Sequence, residues 1–346
     1  MRVLVSLFIA LVFLAGRDCA AAPSWEPPVD GPMRQAGKSV VYIAFDFRNG
    51  GISGAYRGLQ EAARILGWRF TAVDAKGDGA RLQPLFDDVL AQHPNAIILG
   101  GFGPELVQKQ VEQAWAGKIV LAGWHAASLP GPAPGLFVNV TTDPAVVALS
   151  AARAIIDSTE ERIGIVLFND SQFSVANLKM AVMKKAIAGC DRCEILAVED
   201  IPIARADELV ETAVKADNAK FGHRWTHCLA INDIYFDNMN HALHAIGRED
   251  ITGVAAGDGS ARALGRIRSG RSRQLASVAE PLTLQGWQLA DELNRAFAGA
   301  PPSGYVSSPI VVNEPLLSRL GDSPVDSTLP FKDRYQAIWF GIHPGD

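Results

Sequence analysis

The sequence predicts an α/β protein built as two doubly wound lobes, each around a parallel sheet. Three observations carry this. Short, nearly continuous apolar runs of strand length alternate with stretches of helical apolar spacing, the pattern of strands buried on both faces and separated by helices. The alternation restarts near mid-chain, so the two halves read alike. Several runs stop at Asp, Asn or Glu, which puts polar groups at the carboxyl ends of strands, where open α/β sheets bind ligands.

In order, Met1-Arg2, the apolar run Val3 to Ala15 and the small residues Ala20-Ala21-Ala22 have the layout of a secretory signal peptide, residues 1–22. Cys19 follows Arg17 and Asp18, where lipidation would need small residues. Residues 23–38 are a Pro- and Gly-containing leader expected outside the core. Val40 to Asp46 is a strand, Phe47 to Gly54 a loop, and Ala55 to Leu66 a helix stopped by Gly67. Strands follow at Phe70 to Asp74, Ala96 to Leu99, Ile119 to Ala122 and Leu136 to Val140, with helices at Leu82 to Gln92 and Leu106 to Trp115.

The second half opens with helix Pro144 to Ile156 and the buried strand Ile163 to Phe168, which ends in Asn169-Asp170. Helices Val175 to Ala188, Ala206 to Ala216 and Phe236 to Ile246 alternate with strands Ile195 to Val198 and Cys228 to Ile231. Strand Ile251 to Ala256 stops at Gly257-Asp258-Gly259, and helix Ala261 to Ile267 stops at Ser269-Gly270. Strand Leu275 to Ala279 stops at Glu280-Pro281, where the chain must leave the sheet because proline cannot continue a central ladder. Asp258 and Glu280 are thus two carboxylates at strand ends, one strand-turn-helix unit apart; a cap role for Asp258 and a solvated Glu280 are the alternatives.

Composition excludes several classes. Lys plus Arg number 32 against 37 Asp plus Glu, a net charge of −5, with no basic stripe for nucleic acid. No second long apolar segment follows the first, so the processed chain is expected to be soluble. There is no G-x-x-x-x-G-K-[ST], H-E-x-x-H or G-x-S-x-G; Gly101-Phe102-Gly103 starts a glycine pattern, but Leu106 stands where a third small residue belongs. His223, His227, Cys228, His241 and His244 cluster in sequence without common zinc spacing, so no metal and no cofactor is expected. In an exported protein Cys190 and Cys193, in a tight loop, should be joined; thiol exchange is the alternative, but no thioredoxin-like strand precedes them. Cys228 should remain a buried thiol.

GDGSARALGRIRSG followed by SVAEPLTLQGWQLADEL resembles the second lobe of periplasmic sugar-binding proteins of the ribose-binding type. VVYIAFDFRNGGISGAYRGLQEAAR is similar to that family's opening strand, cleft loop and first helix, and NAIILGGFGPELVQKQVEQAWAGKIVLAG to the middle of its first lobe. CLAINDIYFDNMNHAL resembles its strand ending in Asn-Asp. Glu280 stands where the family commonly has glutamine, and Gly123-Trp124-His125 where it often has Asp and a polar or basic residue.

The resemblance implies a type I periplasmic binding protein fold with a three-crossover hinge: residues 39–142 plus 282–312 in the first lobe, 143–281 plus 313–346 in the second, and Arg334 to Trp339 closing the second lobe. It implies a sugar or polyol held between the lobes by Asp46, Phe47, Arg48, Asn49, Trp124 and His125 from the first, and by Asn169, Asp170, Phe173, Asn232, Tyr235, Asp258 and Glu280 from the second. Packing is the alternative for Trp124 and Tyr235, and surface charge for Arg48. Carboxylates and amides take a sugar's hydroxyl groups, and flat rings its C–H faces. The function implied is a non-enzymatic, monomeric component of an ABC importer, meeting an inner-membrane permease from the periplasm. A ligand-presenting partner of a membrane sensor and a carbohydrate-active enzyme are the competing readings.

Overall fold

The structure is a computed structural model that describes residues 28–257 and 259–342. The signal-peptide pattern, Cys19 and Asp258 lie outside the described residues.

The first lobe is a six-stranded sheet in the order β2-β1-β3-β4-β6-β5, formed by β1 (Ser39–Ala44), β2 (Arg69–Asp74), β3 (Ala96–Gly100), β4 (Val120–Trp124), β5 (Gly131–Ala133) and β6 (Leu136–Val140). All pairings are parallel except β5 on β6, a short antiparallel edge that apolar patterning did not reveal. The second sheet runs β12-β11-β10-β9-β7-β8 and contains β7 (Ile163–Asn169), β8 (Cys193–Asp200), β9 (His227–Ala230), β10 (Thr252–Ala255), β11 (Gln274–Ala279) and β12 (Ile310–Asn313). Only β12 is antiparallel there. Each lobe therefore has a strand-order reversal, between β1 and β3 and between β7 and β9.

The first lobe's helices are α1 (Gly50–Leu66), α2 (Leu82–Leu90) and α3 (Gln108–Ala116). The second lobe adds α4 (Pro144–Ile156), α5 (Ser174–Ala188), α6 (Ala206–Phe221), α7 (Ile234–Ala245) and α8 (Ala261–Ser269). α9 (Leu282–Phe297), α10 (Glu314–Leu320) and α11 (Phe331–Phe340) complete the chain.

α1 begins at Gly50, five residues before its expected start at Ala55, because Asn49 caps it by accepting from the Gly51 and Ile52 amides. The glycines that read as loop are helical because the partner helix lies so close. A Cβ at Gly58 would sit 2.5 Å from the Thr283 carbonyl oxygen, and one at Gly286 would sit 2.3 Å from the Leu59 nitrogen. β4 runs past its expected end at Ala122 to Trp124, so Trp124 is a strand residue and not a loop residue.

α9 is buried all round and carries Gln285, Asp291, Glu292 and Asn294 inside. Gln285 bonds to groups at the crossings and Glu292 to Ser303, and two further neighbours satisfy the rest. The leader, expected outside the core, lies across α9: Asn294 donates to the Pro32 carbonyl at 2.9 Å, and the Arg295 guanidinium to that of Asp30. Trp339 donates to Asp291 at 2.9 Å and stacks on Trp287. Phe331, Tyr335 and Trp339 thus join the first lobe's core, which corrects the assignment of the closing helix to the second lobe. The third crossing also shifts: Ile310–Asn313 pairs with β11, so the chain has entered the second lobe before residue 312. The crossings lie at residues 141–143, 280–281 and 298–309, and the tail returns to the first lobe through 321–330.

Cys190 and Cys193 form a disulfide, and Cys228 is a buried free thiol whose pKa burial pushes up.

Candidate functional site between the lobes

The strand-order reversals of both sheets face one another across a cavity, the place where doubly wound sheets leave a crevice between diverging connections. Phe45, Asp46 and Asn49 follow β1, and Gly101 follows β3. Trp124 and His125 end β4. From the second lobe come Phe173, Val175, Ala176 and Lys179 at the start of α5, Ile203 and Ala204, and Ile231 and Asn232 after β9. The cavity measures about 60 Å³. A single water needs at least about 10–15 Å³, so the cavity is larger than a one-water void.

The lobes touch around it. Phe45 and Phe173 meet edge to face with centroids 5.5 Å apart. Asp46 is buried and takes two Arg48 nitrogens, Nε at 3.1 Å and Nη2 at 2.8 Å. Arg48 also reaches the second lobe, donating to the Ala204 carbonyl at 3.3 Å. Phe47 and Arg48 line the outer mouth and not the cavity itself.

Behind the cavity a polar network joins the crossings. Trp124 Nε1 donates to Gln285 Oε1 at 2.7 Å, and its ring stacks on His125 with centroids 4.0 Å apart. His125 Nε2 lies 2.6 Å from Glu280 Oε1. Glu280 Oε2 accepts from Gln285 Nε2 at 2.5 Å and from the Thr142 amide at 3.2 Å. Gln285 Nε2 also donates to Ser307 Oγ at 3.1 Å. Thr142, Glu280 and Ser307 sit on the three crossings in turn. Burial alone would raise the Glu280 carboxyl; His125, the Lys179 charge and the Gln285 hydrogen bond outweigh it and hold the group down at about 2.

Of the residues expected at the site, Asp46, Asn49, Trp124, His125, Phe173 and Asn232 line the cavity. Glu280 does not: it is 1% exposed and stands behind His125 as part of the hinge. Asn169, Asp170 and Tyr235 are also off the wall. Asp170 accepts from the Ile203 amide at 2.8 Å, and burial pushes its carboxyl up. The Tyr235 hydroxyl lies 2.7 Å from the Ile201 carbonyl oxygen and 2.9 Å from that of Asn169, and Asn169 Nδ2 donates to Asn177. These three hold the loops beside the cavity in place.

Sequence reasoning missed Lys179 and Asp233. Lys179 reads as a surface lysine in mid-helix, yet it shares a face with Val175 and Ala176, four and three residues earlier. That spacing was the available signal. Asp233 is buried and accepts from the Gly259 amide at 2.8 Å, Ser277 Oγ at 3.0 Å and Gln274 Nε2 at 2.9 Å, so it ties the turn after β10 to β11. No local pattern distinguishes it from the adjacent Asn232.

A family model described as a periplasmic binding protein domain matches residues 40–301. The chain belongs to the periplasmic binding protein family. A comparison with curated protein sequences finds no significant match. Among solved structures, this family member is similar to a sugar ABC transporter protein from Yersinia enterocolitica subsp. enterocolitica 8081, with TM-score 0.75, 18% identity, and 88% of this chain and 94% of that one covered. A 5-methylthioribose transporter solute binding protein from Thermotoga lettingae TMO, in complex with 5-methylthioribose, superposes with TM-score 0.75 at 14% identity over 91% of this chain and 100% of its own. An ABC transporter solute binding protein from Agrobacterium vitis with bound allitol does so with TM-score 0.70 at 18% identity, over 82% and 97%. At these identities the likeness is one of fold: two α/β lobes of the type I periplasmic binding arrangement.

Proposed function

We propose that this protein is the solute-binding component of an ABC importer and captures one small sugar or polyol between its lobes. The observation that carries this reading is the cavity itself, walled by the strand-order reversals of both sheets. The likeness to proteins holding 5-methylthioribose and allitol supports the ligand class. Within the family we place the chain with the ribose-binding type, on the order of its motifs.

A ligand that touches both lobes binds the closed form better than the open one and shifts the population toward it. A permease could then read closure from the surface, with no chemical step. The same reading takes the chain to be exported by its signal peptide and to act in the periplasm as a monomer. Asp258 is proposed to contact ligand hydroxyl groups, alongside Trp124, His125, Phe173 and Asn232.

A thermal-shift screen over pentoses, hexoses and polyols, followed by calorimetry, tests this. A ligand should raise the melting temperature with the logarithm of its concentration above Kd. Silence across the whole set would sink the reading.

A further inference from the structure

The charged groups around the cavity are unevenly compensated. Asp46 is neutralised by Arg48; Glu280 lies 2.6 Å from His125 and also feels the Lys179 charge, from beyond ion-pair distance. Lys179 is 3% exposed and lies on the cavity wall, where Nζ donates to the Ala256 carbonyl at 2.9 Å. An ammonium has three N–H groups, and among the described residues no carboxylate pairs with this one. With one carbonyl as its hydrogen-bond partner and a carboxylate only at a distance, this buried ammonium lacks a direct counter-charge, which an anion in the cavity would supply.

A second, independent feature points the same way. α5 opens on this wall without a capping side chain and with no acid in its first turn. Its free amides and positive dipole end are therefore on the side of Val175 and Ala176, which line the cavity one turn before Lys179. Two of the cavity's other polar side chains are engaged elsewhere: the Asn49 oxygen caps α1, and both Asp46 oxygens hold Arg48. That leaves a wall better suited to one negative group than to a full ring of neutral hydroxyls.

We propose that the ligand carries an anionic group, a carboxylate or a phosphate on a small polyol body, and that Lys179 and the start of α5 receive it. This rests on the reading above that the cleft holds a small polyol-like solute, and it narrows that class to acids.

Calorimetry on the full mature chain with matched pairs tests it: gluconate against sorbitol, ribonate against ribitol, and ribose 5-phosphate against ribose. At least one acid should bind about tenfold or more tighter than its neutral partner. Whether carboxylate or phosphate is meant follows from which pair shows the preference. Lys179→Met should weaken that acid by about tenfold or more beyond its effect on the neutral partner, erasing the preference. Lys179→Arg should keep it. If the Met variant does not fold, Lys179→Gln, which still reaches Ala256, gives the same readout.

Neutral partners binding as tightly as the acids, or a preference that survives in a folded Lys179→Met protein, overturn the anion assignment while the polyol reading stands. No binding by any of the compounds removes both.

Discussion

Glu280 shows how one side chain can serve a hinge and not a ligand. Its carboxylate is fully buried among groups from all three crossings, and His125 and Gln285 keep it ionised. Because its folded-state pKa is depressed, its contribution is present above the unfolded value near 4.5 and is lost as pH falls through about 2. The difference corresponds to something on the order of 3 kcal/mol. Glu280→Gln should flatten the acid limb of the stability curve over that window and lower stability at neutral pH by about 1–3 kcal/mol, read by urea melts at several pH values. An unchanged acid limb would contradict an ionised Glu280. His227 gives a separable window. It is buried between Ser158 and Thr226, and burial first, then the Arg273 charge, lowers its pKa from 6.5 to about 4. The neutral form is the folded one, so stability should decline as pH drops from about 6.5 toward 4. His227→Gln should remove that decline and leave the lower window in place.

At the scale of elements, the contact between α1 and α9 decides how tightly the first lobe packs. Two helices meet through glycines, with backbone where side chains would ordinarily interdigitate. Gly58→Val forces a side chain against Thr283 and should destabilise by about 1–3 kcal/mol or more, seen as a lower urea midpoint. Gly79→Ala, where nothing lies within 4 Å of the added carbon, is the control and should stay within about 0.5 kcal/mol. α9 also shows why the leader and tail belong to the fold. A helix buried on every face with polar residues inside needs partners for them, and segments 30–35 and 331–339 supply those of Asn294, Arg295 and Asp291.

For the whole molecule, the described residues join the lobes around the cavity, besides the crossings, through the Phe45–Phe173 contact and Arg48. Arg48 is anchored on Asp46 and reaches Ala204 across the mouth. Arg48→Ala should weaken ligand binding by roughly three- to tenfold, since it removes one charged hydrogen bond from the closed form, and should also lower the melting temperature of the free protein, since it leaves the buried Asp46 carboxylate without its partner. Small-angle scattering should show a smaller radius of gyration once ligand is added, and less of a shift for the variant at equal ligand. An equal shift would mean that Arg48 does not favour closure.

The sequence by itself determined the fold class, the two-lobed repeat and most strands, because a strand buried on both faces must be apolar along its length whatever lies beside it. It also placed Asp46, Asn49, Trp124, His125, Phe173 and Asn232 near one site, since strand ends in such sheets converge on one crevice. The tertiary structure alone decided which way each polar group turns. Asn169, Asp170, Tyr235 and Glu280 have the chemistry of ligand contacts but are bound by backbone and side-chain partners distant in sequence. Lys179 has the look of a surface lysine and is buried against Ala256. The helical glycines of α1, the antiparallel edges β5 and β12, and the return of α11 to the first lobe share that cause. Each depends on a neighbour brought close by the fold, and local composition carries no record of what that neighbour will be.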